Sequence, residues 1–113
     1  MARKILIVDD DREVSRFLHS TLEILDSAAQ FIEIRSAEEA LLEVRRTAFD
    51  LYVLDVLLPG MDGIELSRRI LKQQPSAKII LLTGKPTPQI EAEIRSLNVA
   101  FFPKPIKPED LMN

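Results

Sequence analysis

Leu51-Tyr52-Val53-Leu54-Asp55 is the segment that decides the fold of this chain, because four apolar residues in succession end in an acid. A short continuous apolar run is typical of a strand that is buried on both faces of a parallel sheet. A second run of the same kind, residues 5–8, ends in Asp9 and Asp10. Because parallel strands end at the same edge of a sheet, we expect both runs to deliver their acids to one acidic pocket.

Strand-like and helix-like patterns alternate along the whole chain. We predict strands at residues 4–8, 31–34, 51–54, 78–82 and 100–102. Between them, apolar residues recur at the three- and four-residue spacing of helices that bury one face. In the first helix these residues are Val14, Phe17, Leu18, Leu22 and Leu25. Such an alternation predicts the α/β class, with a doubly wound five-stranded parallel sheet and right-handed crossovers.

Length and composition limit the possible functions. The 113 residues suffice for one domain with a core and not for two, so we expect a single domain over residues 1–113. A net charge of −3 without any basic block argues against direct nucleic-acid binding by this segment. The sequence shows no cysteine, no signal peptide and no apolar stretch of membrane-spanning length, so we expect a cytoplasmic protein without membrane contact.

Polar residues stand at the carboxyl ends of the predicted strands. They are Asp9, Asp10, Asp55, Thr83 and Lys104. Ligand sites of doubly wound sheets lie outside this edge, at the point where the strand order reverses. We therefore predict that these side chains line one site.

An aspartate in such a pocket can attack phosphorus and form an acyl phosphate. Several carboxylates together would repel the incoming phosphoryl group, and a Mg²⁺ ion held by oxygen ligands removes that repulsion. We expect Asp55 to be the nucleophile and also a Mg²⁺ ligand. The other Mg²⁺ ligands would be Asp9 or Asp10 and the backbone carbonyl of Leu57. The lysine and the threonine would contact further phosphate oxygens.

Several motifs together make the chain resemble the receiver domain of two-component response regulators. They are residues 5–11, residues 54–55 with 58–63, residues 82–84, and residues 102–105. The resemblance covers nearly the whole chain. It implies a flavodoxin-like fold with strand order 2-1-3-4-5, in which helix 5 is here largely missing. The chain would then be a receiver that is truncated at its C-terminus or that forms the N-terminal part of a longer protein.

The resemblance also implies roles for the site residues. Asp55 would be the phosphoacceptor, which takes a phosphoryl group from a phosphohistidine on a sensor histidine kinase or phosphotransfer protein. Asp9 and Asp10 would be the acidic pair that holds Mg²⁺. Thr83 would be the switch hydroxyl that moves toward the phosphate, and Lys104 would be the lysine that contacts it.

The same resemblance extends to the output of the domain. Phe101, three residues before the lysine, occupies the aromatic switch position, and the Lys104–Pro105 bond is expected to be cis. The domain would be a signalling module with weak self-catalysed phosphorylation and dephosphorylation, not an enzyme. Its signal would pass to a C-terminal output domain or to a protein effector.

Partner choice in the family resides on the first helix and on the loop after strand 5. Arg12, Ser15 and Arg16 of the predicted first helix are therefore candidate contacts for the kinase.

Two other functions stay open at this point. An aspartyl-phosphate phosphatase of the haloacid-dehalogenase type would need a second aspartate where Leu57 stands, which argues against that hypothesis. A degenerate receiver used only for docking is the second alternative. It is kept open by Pro86 and Pro88, which predict that helix 4 begins late, near Pro88. A short helix 5 is also expected to expose Ile106.

Overall fold

The computed structural model describes residues 2–97 and 99–112 of the chain. Within them lie five strands: β1 (Lys4–Val8), β2 (Gln30–Ile34), β3 (Leu51–Asp55), β4 (Ile79–Thr83) and β5 (Ala100–Pro103). Each strand is followed by a helix: α1 (Arg12–Leu25), α2 (Ala37–Arg46), α3 (Gly63–Gln73), α4 (Pro88–Leu97) and α5 (Pro108–Met112). The predicted alternation is confirmed, and the bounds of each strand agree with the prediction to within one residue.

The strands form one parallel sheet in the order β2-β1-β3-β4-β5, which confirms the predicted order. The order reverses between β1 and β3, which pair directly with Val8 opposite Leu54. The next residues along these two strands are Asp9 and Asp55. Strand pairing therefore places these two acids side by side at the carboxyl edge of the sheet.

The sheet is buried on both faces, which explains why its strands are continuously apolar. On one face, α2, α3 and α4 pack over side chains such as Leu6, Tyr52 and Leu81. On the other face, α1 and α5 pack over Ile7 and Val53. Burying one such side chain contributes about 1.5–3 kcal/mol. These two apolar layers hold the strand ends in place.

Polar side chains fix the starts of the helices. Asp11, Ser36 and Asp62 accept hydrogen bonds from backbone N–H groups in the first turns of α1, α2 and α3 at 2.9, 3.3 and 2.8 Å. The start of α4 at Pro88 confirms the predicted late start. No helix among residues 2–97 and 99–112 combines the length and apolar character that spanning a membrane would require.

Three expectations about burial are wrong. Phe17 and Leu25 belong to the periodic pattern of α1, but they are 37% and 46% exposed, because Phe17 lines a surface groove and Leu25 is the last residue of the helix. Ile106 was expected to be exposed and is only 7% exposed. The reason is that the short α5 is sufficient to bring Leu111 against the same apolar cluster as Ile106.

Gly63, the first residue of α3, lies in close contact with the end of β3. Its N–H donates a hydrogen bond to the carbonyl of Val56 at 2.9 Å. A Cβ atom at this position would lie 2.1 Å from the carbonyl oxygen of Asp55. Because backbone atoms cannot move aside as a flexible side chain can, α3 begins this close to β3 only with glycine.

We expect Gly63→Ala to lower the free energy of unfolding by about 1–3 kcal/mol, since the added methyl group forces β3 and α3 apart. Urea denaturation at equilibrium measures the effect. Gly84→Ala is the matched control, because a Cβ there lies no closer than 3.9 Å to Lys104. Equal stability of the two variants would contradict the close-packing argument.

Candidate functional site

The carboxyl edge of the sheet brings together the residues that the sequence placed there. Asp9 follows β1, Asp55 and Thr83 end β3 and β4, and Lys104 follows β5. Asp9, Asp55 and Thr83 are buried, Lys104 is partly buried, and Asp10 is exposed. The predicted common site is therefore present, with its open side at Asp10.

Asp9, Asp10 and Asp55 form a group that could hold a metal ion. One carboxylate oxygen from each lies within 4.8 Å of the others. Carboxylate oxygens at such separations suit a hard divalent cation. Two of the three carboxylates are almost fully buried, at 1% exposure for Asp9 and 6% for Asp55. Since buried carboxylates require compensating charge, the donor set fits a cation.

Lys104 supplies positive charge to this group. Its Nζ lies 2.9 Å from Oδ2 of Asp9 and 3.3 Å from Oδ2 of Asp55. The Lys104–Pro105 peptide bond is cis, which confirms the prediction. One ammonium against three carboxylates leaves the cluster with an excess of negative charge.

The surroundings of Asp55 change its protonation. Burial, and next the charge of Asp9, raise the pKa of the Asp55 carboxyl to about 6, against the opposing effect of Lys104. For Lys104, burial lowers the pKa, but the hydrogen bond and charge of Asp9 and the charge of Asp55 outweigh it, so the pKa is raised. Lys104 is therefore a permanent cation at neutral pH, while Asp55 titrates near the physiological range.

Thr83 is held in place by the backbone around it. Its hydroxyl oxygen accepts a hydrogen bond from the N–H of Lys85 at 3.2 Å. Its carbonyl accepts one from the N–H of Lys104 at 2.8 Å, so the ends of β4 and β5 are joined beside the acidic group. The threonine is thus in the predicted place, and its movement toward a phosphate stays a prediction.

The remaining predicted residues lie around the site. The side chain of Leu57 is 51% exposed, and its backbone amide helps to stabilise the ionised Asp55. The use of the Leu57 carbonyl as a metal ligand stays a prediction.

Phe101 is partly buried and packs on the face covered by α4, whereas Phe102 packs on the face covered by α1 and α5. Of the two rings, Phe101 is therefore the one on the side of the sheet that α4 covers, and its role as a switch stays a prediction.

Two residues that support the site were not identified from the sequence. Gly63 sets the distance between α3 and the backbone of Asp55. Glu38 of α2 reaches the loop after β3, where its Oε1 accepts a hydrogen bond from the N–H of Met61 at 3.4 Å. In the sequence, a glycine at the start of a helix is only a weak signal for the close approach of Gly63 to Asp55. The contact of Glu38 with Met61 joins residues 23 positions apart and leaves no local pattern.

Comparison with known proteins identifies the family. The family model described as the response regulator receiver domain matches residues 5–113. The chain belongs to this family. It is similar to the DNA-binding response regulator MtrA of Mycobacterium tuberculosis, with 35% identity over 115 residues that cover 99% of this chain and 48% of MtrA. It is also similar to the response regulator protein FleR of Pseudomonas aeruginosa, with 40% identity over 84 residues, 74% of this chain and 17% of FleR.

A solved receiver structure has the same fold. The BeF3-activated receiver domain of DrrB superimposes with a TM-score of 0.88 at 28% identity, over 99% of this chain and 92% of that one. DrrB is a response regulator of Thermotoga maritima. The chain spans about half the length of MtrA and less than a fifth of the length of FleR, so the similarity concerns the receiver and not the rest of those proteins.

We expect the buried Asp55 to destabilise the metal-free domain at neutral pH. Its pKa is about 6 when folded and about 3.9 when unfolded, so the folded state holds the proton more tightly and stability falls as the pH rises between these values. Asp55→Asn removes this penalty. In a chelator-containing buffer at pH 7.5, we expect the variant to be more stable by about 1–3 kcal/mol.

The gain should shrink as the pH falls from about 6 to about 4, because Asp55 then becomes neutral in both states. Denaturant unfolding across this range measures it. Asp62→Asn, the same substitution at an exposed helix cap, is the control. A gain that does not depend on pH would rule out the titration of Asp55 as its cause.

Proposed function

We propose that this receiver is a phosphorylation-dependent signalling switch in which Asp55 accepts a phosphoryl group with the assistance of Mg²⁺. The observation that carries the proposal is the cluster of Asp9, Asp10 and Asp55 with Lys104 at the point where the strand order reverses. The complete acidic group argues against a degenerate receiver that serves only for docking.

Asp55 is the nucleophile of the proposed reaction. One of its carboxylate oxygens forms a bond to phosphorus while the bond between phosphorus and the imidazole nitrogen of a phosphohistidine breaks, and the electron pair stays on that nitrogen. The attacking carboxylate must be ionised, and with a pKa of about 6 it is mostly ionised above pH 7. Burial keeps bulk water from most of the carboxylate, which favours transfer from the donor.

Mg²⁺ would be held by Asp9, Asp10 and Asp55, with the Leu57 carbonyl as a further ligand, and it would supply the positive charge that this acidic cluster lacks. The ammonium group of Lys104 would act beside Mg²⁺. Lys104, already 3.3 Å from Asp55, is placed to contact an oxygen of the transferred group. Thr83 would exchange the amide of Lys85 for a phosphate oxygen, and this movement would let Phe101 and α4 respond.

The phosphoryl donor needs a docking surface beside Asp55. An apolar groove of about 440 Å³ lies between α1 and the segment after β5, and Val14, Phe17, Pro105 and Ile106 contribute to its walls. Phe17 is 37% exposed there. We propose that a helix of a sensor histidine kinase or phosphotransfer protein binds this groove. Arg12, Ser15 and Arg16, the candidate contacts from sequence, lie on another side of α1.

The signal would pass to an output domain or a protein effector. MtrA is a DNA-binding response regulator about twice as long as the matched segment. We propose that residues 1–113 act as one receiver domain in the cytoplasm, and that any contact with DNA is made by other parts of the protein. The net charge of −3 agrees with this division.

Beryllium fluoride with Mg²⁺ tests the site, because it forms an analogue of the acyl phosphate. We expect saturable changes in amide NMR shifts at Asp9, Asp55, Thr83 and Lys104, which extend to Phe101 and α4 when the switch operates. Asp55→Asn should abolish them, since it removes the nucleophilic oxygen. A folded protein that shows no response would refute the phosphoacceptor role of Asp55. The remaining hypothesis would then be a receiver that serves only for docking.

We further expect the phosphorylated state to last well beyond seconds, because the apolar Leu57 offers no base to activate water near Asp55. Leu57→Glu should speed the loss of the acyl phosphate about tenfold or more. Leu57→Ala is the control, since it opens the same space without adding a base. Decay of a phosphorylated sample after removal of the donor measures the rates. Equal rates in all three proteins would contradict a role for residue 57 in the lifetime.

A further inference from the structure

A second polar pocket lies between α1 and the carboxyl end of β2. It has a volume of about 280 Å³. Its cationic wall consists of Arg12 and Arg16 on α1 and Arg35 just after β2, with Ser15 between them. Asp9 and Glu33 also reach the pocket. The apolar docking groove lies on another side of α1, so the two features are separate.

None of the acids in the described part of the chain forms an ion pair with the arginines of this pocket. Within residues 2–97 and 99–112, no carboxylate lies within 4.0 Å of a nitrogen of Arg12, Arg16 or Arg35. Both nearby acids have other partners. The carboxylate of Glu33 contacts Nδ1 of His19 at 2.7 Å.

Asp9 is engaged on the other side. Its Oδ2 accepts a hydrogen bond from Nζ of Lys104, and its Oδ1 accepts one from the N–H of Asp11, both at 2.9 Å. The guanidinium groups therefore leave an excess of positive charge in the pocket.

Ser15 is the second indication of a ligand. Its side chain is only 4% exposed and lines the pocket, yet its hydroxyl makes no hydrogen bond to any of the described residues. Since no buried side-chain oxygen of the described residues lacks a partner, this hydroxyl opens into the pocket, and an anionic oxygen is an acceptor that matches it together with the three guanidinium groups.

We propose that this pocket binds a phosphate group, either as free phosphate or as part of a small phosphorylated molecule. Guanidinium groups match phosphate oxygens in geometry and charge, and the serine hydroxyl can donate to one more oxygen. The volume is below the roughly 300–1,000 Å³ of pockets for drug-sized ligands, so the occupant is small.

The pocket is distinct from the proposed phosphorylation site. Without Mg²⁺, the three carboxylates of Asp9, Asp10 and Asp55 outnumber the one cation, Lys104, that contacts them among the described residues, so the group repels phosphate. The arginine pocket needs no metal. Asp9 contributes to both sites, so a ligand bound in one site lies next to the other site. The proposal does not depend on phosphorylation of Asp55 and is tested in its absence.

The test is an amide NMR titration of the Asp55→Asn protein with inorganic phosphate, in chelator-containing buffer whose ionic strength is held constant with chloride. We expect saturable shifts centred on Ser15, Arg16 and Arg35. Arg35→Gln should weaken the affinity about tenfold, as expected for the loss of a charge-assisted hydrogen bond. Ser15→Ala should weaken it severalfold. Arg45→Gln, which changes an exposed arginine in the last turn of α2, is the control and should leave the affinity unchanged.

A parallel titration with glycerol phosphate distinguishes the two sources of the phosphate group. Tighter binding of inorganic phosphate assigns the pocket to the free ion, and tighter binding of the ester assigns it to a phosphorylated small molecule. Shifts that do not saturate with either ligand, or that Arg35→Gln and Arg45→Gln reduce equally, would overturn the proposal.

Discussion

The burial of Asp55 beside Asp9 is the interaction on which the rest of this receiver depends. The two carboxylates are neighbours because β1 and β3 pair in register, and both are almost completely removed from water. A single ammonium, that of Lys104, contacts both. The raised pKa of Asp55 is the direct result of this arrangement. The folded domain therefore concentrates negative charge at one edge of the sheet, and any cation or neutralising reaction at that edge stabilises it.

The apolar sheet makes this arrangement possible. Burial of strand side chains on both faces contributes far more free energy than the charged edge removes, so the strand ends can be held in an unfavourable electrostatic arrangement. Gly63 adds a steric condition, because any side chain there would collide with the backbone of Asp55. The same strands and helices therefore provide both the stability of the domain and the geometry of the acidic site. The parallel pairing that forms the core also fixes the distance between the acids.

The sequence predicted the strands and the site for one shared reason. Continuous apolar runs identify buried parallel strands, and residues such as Asp55 that directly follow those runs must lie at the carboxyl edge. Burial on the helices was predicted less well. Periodicity shows that Phe17 and Leu18 lie near one another on α1, but it does not show which of them a neighbouring element covers. Leu18 is fully buried and Phe17 is not.

Contacts between distant parts of the chain were predictable only where both residues follow strands. The pairing of Lys104 with Asp9 joins residues 95 positions apart and was expected only because both follow strands. The contact of Glu38 with the loop after β3 follows no such rule. Arg35 was likewise not identified, since a single arginine after a strand has no distinguishing spacing. Its position near Arg12 and Arg16 results from the parallel pairing of β2 with β1.

Helix α1 separates two surfaces with different chemistry. Val14 and Phe17 face the apolar groove beside Lys104, whereas Arg12, Ser15 and Arg16 face the arginine pocket. Val14 and Phe17 are three residues apart and Arg12 and Arg16 are four apart, so each pair shares one side of the helix. Asp9 and Lys104 join the base of one surface to the base of the other. A ligand that changes the charge around Asp9 therefore acts directly on the group that, after burial, contributes most to the raised pKa of Asp55.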